Sequence, residues 1–133
     1  MTPEGFIARE SKFDCKESMD RLCESAVGNG MAIVARIDHA AAAAQFDLEL
    51  RPAEVLIFGN PQAGTPLMQK APTIAIDLPL KALVWQDATG KIWVGYNDPL
   101  WMGQRHGVGP LTCPSLRSMA VKLATVVNAA ASE

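Results

Sequence analysis

Two β-rich runs, Leu80 to Asp87 and Lys91 to Asn97, flank the glycine-bearing turn Ala88-Thr89-Gly90, an arrangement that predicts an antiparallel hairpin. A hairpin fixes the direction of its two strands, so the rest of the chain must fold around an antiparallel pair. From Pro114 onward Leu116, Met119, Ala120, Leu123, Val126, Val127 and Ala130 line one broad apolar stripe, which predicts a C-terminal helix over about 114–131. A second stripe, Met19, Leu22, Cys23, Ala26 and Val27, predicts a helix that starts near Lys12 behind the cap pattern Ser11-x-x-Asp14 and ends at Gly28-Asn29-Gly30.

The remaining segments read as further strands and short helices. Phe6 to Arg9 forms a first strand, and Met31 to Asp38 a second, with Met31, Ile33, Ala35 and Ile37 on one face. The continuous apolar run Val55-Leu56-Ile57-Phe58 reads as a strand in mid-sheet, buried on both faces. Asp38 is placed to cap a brief helix through the alanines 40–44. Thr65-Pro66 reads as the N-cap and first residue of a short helix to about Lys70, closed by Pro72, and Asp98-Pro99 starts another that reaches about Arg105 and stops at Gly107. The expected fold is therefore α+β: a β-α-β-β-β-β-α antiparallel sheet with two main helices packed on one face, plus short helical insertions. Parallel βαβ winding is the alternative.

A chain of 133 residues fits one domain, 1–133, and excludes a two-domain enzyme. With 49% hydrophobic and 20% charged residues it has the material for a core, and a formal charge of -2 provides no field to hold a polyanion, so nucleic acid is not expected as a partner. Met1 to Ile7 lacks a basic segment followed by an apolar run, from which a cytoplasmic location is expected, and no stretch reaches the length of a membrane span. Cys15, Cys23 and Cys113 include no C-x-x-C pair, and their odd count argues for reduced thiols rather than a disulfide framework or structural zinc.

Several segments carry a resemblance in order along the chain. They are Asp38-His39, Leu48-Glu49-Leu50-Arg51-Pro52, Leu56-Ile57-Phe58-Gly59-Asn60-Pro61, Gly64-Thr65-Pro66-Leu67-Met68, Asp77-Leu78-Pro79-Leu80-Lys81 and Tyr96-Asn97-Asp98-Pro99. Over about 11–107 the chain resembles the family known as domain of unknown function 302. The resemblance implies a β-α-β-β-β-β-α arrangement akin to the TATA-binding-protein class of folds, and a homodimer, but no agreed reaction. Likeness to a DNA-binding saddle is not evidence of function, because one fold hosts unrelated activities.

Five polar residues are candidate ligand contacts. His39, at a strand end, can exchange protons near neutral pH with Asp38 to fix its tautomer, although adjacent strand residues point to opposite faces and the bland alternative has Asp38 as a cap and His39 on a turn carbonyl. The resemblance places His39 within the family's motif. Asn60 and Thr65 flank a loop before a helix start, which suits an anion or, equally, simple turn and cap roles. Tyr96 offers a phenol and Asp98 a carboxylate, with a core tyrosine and a helix cap as the plain readings. His106, beside Arg105, reads as a cation at a helix C-terminus.

Two histidines without H-x-x-x-H spacing do not make a closed metal site in one chain, and no G-x-S-x-G elbow is present. Trp85, Trp93 and Trp101 read as core or dimer packing. The expected function is a homodimeric cytoplasmic module that binds a small polar or anionic molecule beside His39, Asn60, Thr65, Tyr96 and Asp98. The alternatives are an enzyme using His39 as general acid or base with Asp38 or Asp98, a purely structural or partner-binding dimer, and a haem binder through His39. No cofactor is specified by the sequence.

Overall fold

The structure, a computed structural model, describes residues 2–132. Within them, β1 (Phe6–Glu10), β2 (Ala32–Asp38), β3 (Ala53–Gly59), β4 (Leu80–Gln86) and β5 (Ile92–Asn97) form one antiparallel sheet in the order β1-β5-β4-β3-β2. The helices are α1 (Cys15–Gly28), α2 (His39–Ala44), α3 (Pro61–Lys70), α4 (Pro99–Arg105) and α5 (Pro114–Ala131), and a 3-10 segment, Pro72–Asp77, follows α3. The expected α+β architecture, the hairpin and the two long helices are all present.

Strand alternation puts Leu56 and Phe58 of β3, Val84 of β4 and Val94 of β5 on one face, where each is completely buried. Helix α1 lies over β2, β3 and β4, while α5 lies over β5 and β1 and packs along α1. Met19 and Leu22 of α1 and Leu123, Val126 and Val127 of α5 close that core with no exposed surface. Arg21 ties the helices together: its guanidinium donates to the carbonyls of Ala129, Ala130 and Ser132 at the end of α5, satisfying acceptors that have no partner inside the helix, and lies 4.1 Å over the Phe13 ring.

The opposite face carries Phe6, Leu83, Trp85, Trp93, Val55 and Ile57, all half-buried, and neither of the long helices α1 and α5 covers it. Trp85 stacks at 6.4 Å on Trp93 and tilts at 5.7 Å against Phe6. Gly95 makes this cluster feasible, because the Phe6 and Trp85 rings occupy the space a β-carbon there would need.

Four local expectations are corrected. The α1 cap is Asp14, whose carboxylate accepts from the Glu17 N–H at 2.8 Å, while Ser11 turns inward to a buried Ser18 hydroxyl at 2.6 Å. Val27 is exposed at 59%, off the buried stripe. In β2 the register slips between Ile33 and Ala35, sending them to opposite faces, and as an edge strand β2 stays largely exposed. Strand β3 is interior but not central, and only Leu56 and Phe58 are fully buried, since Val55 and Ile57 lie on the face that the long helices leave open.

The hairpin turn is organised by Asp87. One carboxylate oxygen accepts from the Trp93 indole N–H at 2.8 Å and the other from the Thr89 hydroxyl and the N–H groups of Thr89 and Lys91. These bonds, the indole foremost, hold its carboxyl well below the usual carboxylate range. A depressed pKa stabilises the fold fully above the unfolded value near 3.9, and that stabilisation is lost as pH falls through the folded value. The thermal-melt difference between wild type and Asp87→Asn is therefore expected to be largest above about pH 5 and to shrink as the solution is acidified. In the core, Phe58→Ala should cost about 3–5 kcal/mol in urea unfolding, because it empties a fully buried site.

Candidate functional site

The strand register divides the polar candidates between two ends of the sheet. Asp38 of β2 pairs with Glu54 of β3 at one end, and Ala32 pairs with Gly59 at the other. Glu54 and Gly59 are five residues apart, about 17 Å of extended strand. His39 follows Asp38 and so lies at the first end, whereas Asn60 follows Gly59, and Tyr96 and Asp98 close β5, at the second. The five residues therefore do not share one hollow.

Each has a local setting. His39 is exposed in the first turn of α2, where Asp38 is occupied by accepting from the Ala41 N–H at 2.9 Å. Tyr96 is buried under the helices, and burial, with Asp98 nearby, pushes its phenol pKa up. Asp98 caps α4 through the Leu100 N–H at 3.0 Å. Helix α3 begins at Pro61 under an Asn60 cap, and not at Pro66: the Asn60 side-chain oxygen accepts from the Gln62 N–H at 2.9 Å. Of two consecutive cap-and-proline signals the first prevails, which leaves Pro66 inside the helix and Thr65 exposed on its side.

Asn60 alone among the five lines a cleft of about 450 Å³, between α3, the 3-10 segment, the strand end and α5. Its walls are mainly apolar, with Met31, Met68, Leu78, Leu80 and Met119 as the large side chains. Gly64 is buried on the inner side of α3, and a β-carbon there would make only ordinary contact with Leu78 and Met68. Asn60, Ser115, Ser118 and Lys122 supply the polar side chains of the lining. Of the α5 residues here, the sequence pattern singled out Met119, in the core stripe, but not Ser115, Ser118 or Lys122, because a helix stripe names the core face and not the flank beside it.

The 3-10 segment that contributes Ala75 to the wall is pinned from outside by a cluster that sequence reading missed. His106 sits with its Nε2 2.5 Å from Asp77 and its Nδ1 2.8 Å from the Thr73 hydroxyl, and Arg105 donates to both Asp77 oxygens at 2.9 Å. Both ring nitrogens are thus engaged, Nε2 by the carboxylate and Nδ1 by the threonine hydroxyl. Instead of being a lone cation at a helix end, His106 fastens the segment to α4. Among the described residues no group of three or more histidine, cysteine, aspartate or glutamate side chains is placed to hold a metal ion. Cys15 and Cys23 are half-buried, and burial raises both thiol pKa values.

A family model described as domain of unknown function DUF302 matches residues 7–130. The curated relatives include proteins named fluoride-specific ion channel FluC 1 of Brucella suis and of Brucella abortus, each 41% identical over 129 residues. The match covers 97% of this chain but 51% and 48% of theirs, so the chain spans about half the length of the curated relatives it matches. A crystal structure of an uncharacterized conserved DUF302 protein from Bacillus stearothermophilus superposes with a TM-score of 0.85 at 18% identity, covering 96% of this chain and 99% of the other. At that identity the likeness concerns the fold.

The caps set up a stability test. Asn60→Ala and Asp98→Ala should each cost about 1 kcal/mol in urea unfolding through a lost helix cap, whereas His39→Ala, at an exposed position, should stay within about 0.5 kcal/mol of wild type.

Proposed function

Because the chain belongs to the DUF302 family, whose description names no reaction, we propose a function from its own geometry: a homodimeric small-ligand-binding module whose ligand occupies the cleft beside Asn60. The observation that carries this reading is the convergence of three separate segments. Gly59-Asn60-Pro61, Gly64 to Met68 and Leu78-Pro79-Leu80 belong to the stretches through which the chain resembles its family, and all three contribute to one concave, mostly apolar wall. Small ligands favour such a site, in which apolar bulk supplies affinity and a few polar groups fix orientation.

The open sheet face supports the pairing of two copies. Phe6, Leu83, Trp85, Trp93, Val55 and Ile57 present an apolar patch with Lys81 and Glu10 at its margins, and such a patch is complementary to itself across a two-fold axis. Exposed Ile37 extends it on β2. Three unpaired thiols fit a reducing, cytoplasmic setting. The fluoride-channel name of the Brucella relatives does not enter this reading: the chain spans about half of them, and among its described residues no helix is long and apolar enough to cross a membrane.

In a thermal-shift screen of small metabolites, wild type should gain stability with at least one compound, and Gly64→Leu should lose that response while melting no lower than wild type when unliganded. A leucine at this helical position fills the cleft and favours the helix. An undiminished response from Gly64→Leu would remove the cleft from consideration. For the pairing, sedimentation equilibrium at about 10 μM should give twice the 14.2 kDa chain mass, and Trp93→Glu should halve it by placing a charge in an apolar interface. A wild-type monomer at that concentration would contradict the dimer.

A further inference from the structure

We propose that the ligand of this cleft is a medium-chain monocarboxylate, with its hydrocarbon body against the methionine-lined wall and its acid head at Lys122, Ser118 and Ser115. The inference rests on the cleft being the binding site and names the chemistry of what it binds.

Three observations converge on it. Every charged or hydroxyl-bearing side chain of the lining can donate, and none is a carboxylate: Lys122 has an ammonium and Ser118 a hydroxyl, Ser115 has a hydroxyl 3.2 Å from the Cys113 thiol, and Asn60 already spends its oxygen on the α3 cap. A lining of donors with a single cation selects for a ligand with an anionic end. Ser115, Ser118 and Lys122 are spaced three and four residues apart, so they stand in one row along α5, next to Met119. The polar groups therefore form one edge of the cleft instead of being scattered over it. Lys122 itself makes no ion pair with any described residue, so its charge is open to an external partner.

Charge and size narrow the class. One lysine balances one carboxylate, whereas a phosphate monoester carries a charge of about -1.5 to -2 at neutral pH and needs a second cation. A cleft of about 450 Å³ lies within the ~300–1,000 Å³ range of small-molecule sites, and its long, mainly apolar wall suits a carboxylate with a chain of about eight to twelve carbons. Met31, Met68 and Met119 suit a flexible chain, because the unbranched thioether side chain adapts to its shape.

Isothermal titration of the full chain with octanoate, 1-octanol and octyltrimethylammonium tests the assignment. Octanoate should bind wild type most tightly, Lys122→Gln should weaken it by about five- to tenfold while leaving 1-octanol unchanged, and Gly64→Leu should abolish binding of both. If Lys122→Gln leaves octanoate unchanged, or if the alcohol or the cation binds wild type as tightly as octanoate, the carboxylate assignment is overturned while the cleft remains a binding site. If none of the three binds wild type, the assignment falls, and if a broader screen also finds no ligand sensitive to Gly64→Leu, the cleft falls with it.

Discussion

One face of the sheet has to leave water, and the pleat decides which residues go with it. Leu56, Phe58, Val84 and Val94 are brought into line by period-two alternation on neighbouring strands, and they can be covered only by helices with apolar stripes of matching length. α1 and α5 supply those stripes, and Arg21 locks the two together by capping the end of α5. The other face of the same strands is left with Trp85, Trp93 and their neighbours, so the pattern that creates the core also creates an apolar surface that the long helices do not cover.

The cleft follows from where the covering stops. Near Gly59 and Leu80 the roof is no longer made by the two long helices alone but by α3 and the 3-10 segment, which fold back over the strand end and meet the flank of α5. This roof is attached at two ends: Asn60, at the rim of the cleft, caps α3, and Asp77, behind the wall, is held by Arg105 and His106. A wall braced from behind can keep most of its inner surface apolar, and the inner surface here is largely methionine, leucine and glycine. Rigid support around an adaptable apolar lining is a sound arrangement for holding a small molecule.

The sequence made the local elements legible where periodicity is strong. The hairpin, α5 and the Asp98-Pro99 start of α4 stand where their patterns put them. Competing local signals were harder to read: Asn60-Pro61 and Thr65-Pro66 are both good helix starts, and the first wins without any pattern in the residues to announce it. The candidate site was legible only in part, because proximity between strand ends depends on strand order and direction. His39 and Asn60 both follow a strand, yet β2 and β3 run in opposite directions, which separates them by the length of the sheet. Asn60 was found from its turn chemistry, while Ser118, Lys122 and the brace at His106 depend on contacts between segments far apart in the chain.

The central claim is that ligand enters between α3 and α5, and methyl NMR of methionine-labelled protein examines it directly. Met31, Met68 and Met119 line the cleft, whereas Met19 and Met102 are buried elsewhere in the core. On titration with octanoate, the three cleft methyl signals should move together along one saturation curve while those of Met19 and Met102 stay in place. Movement of Met19 or Met102 with the cleft signals unchanged would contradict the account.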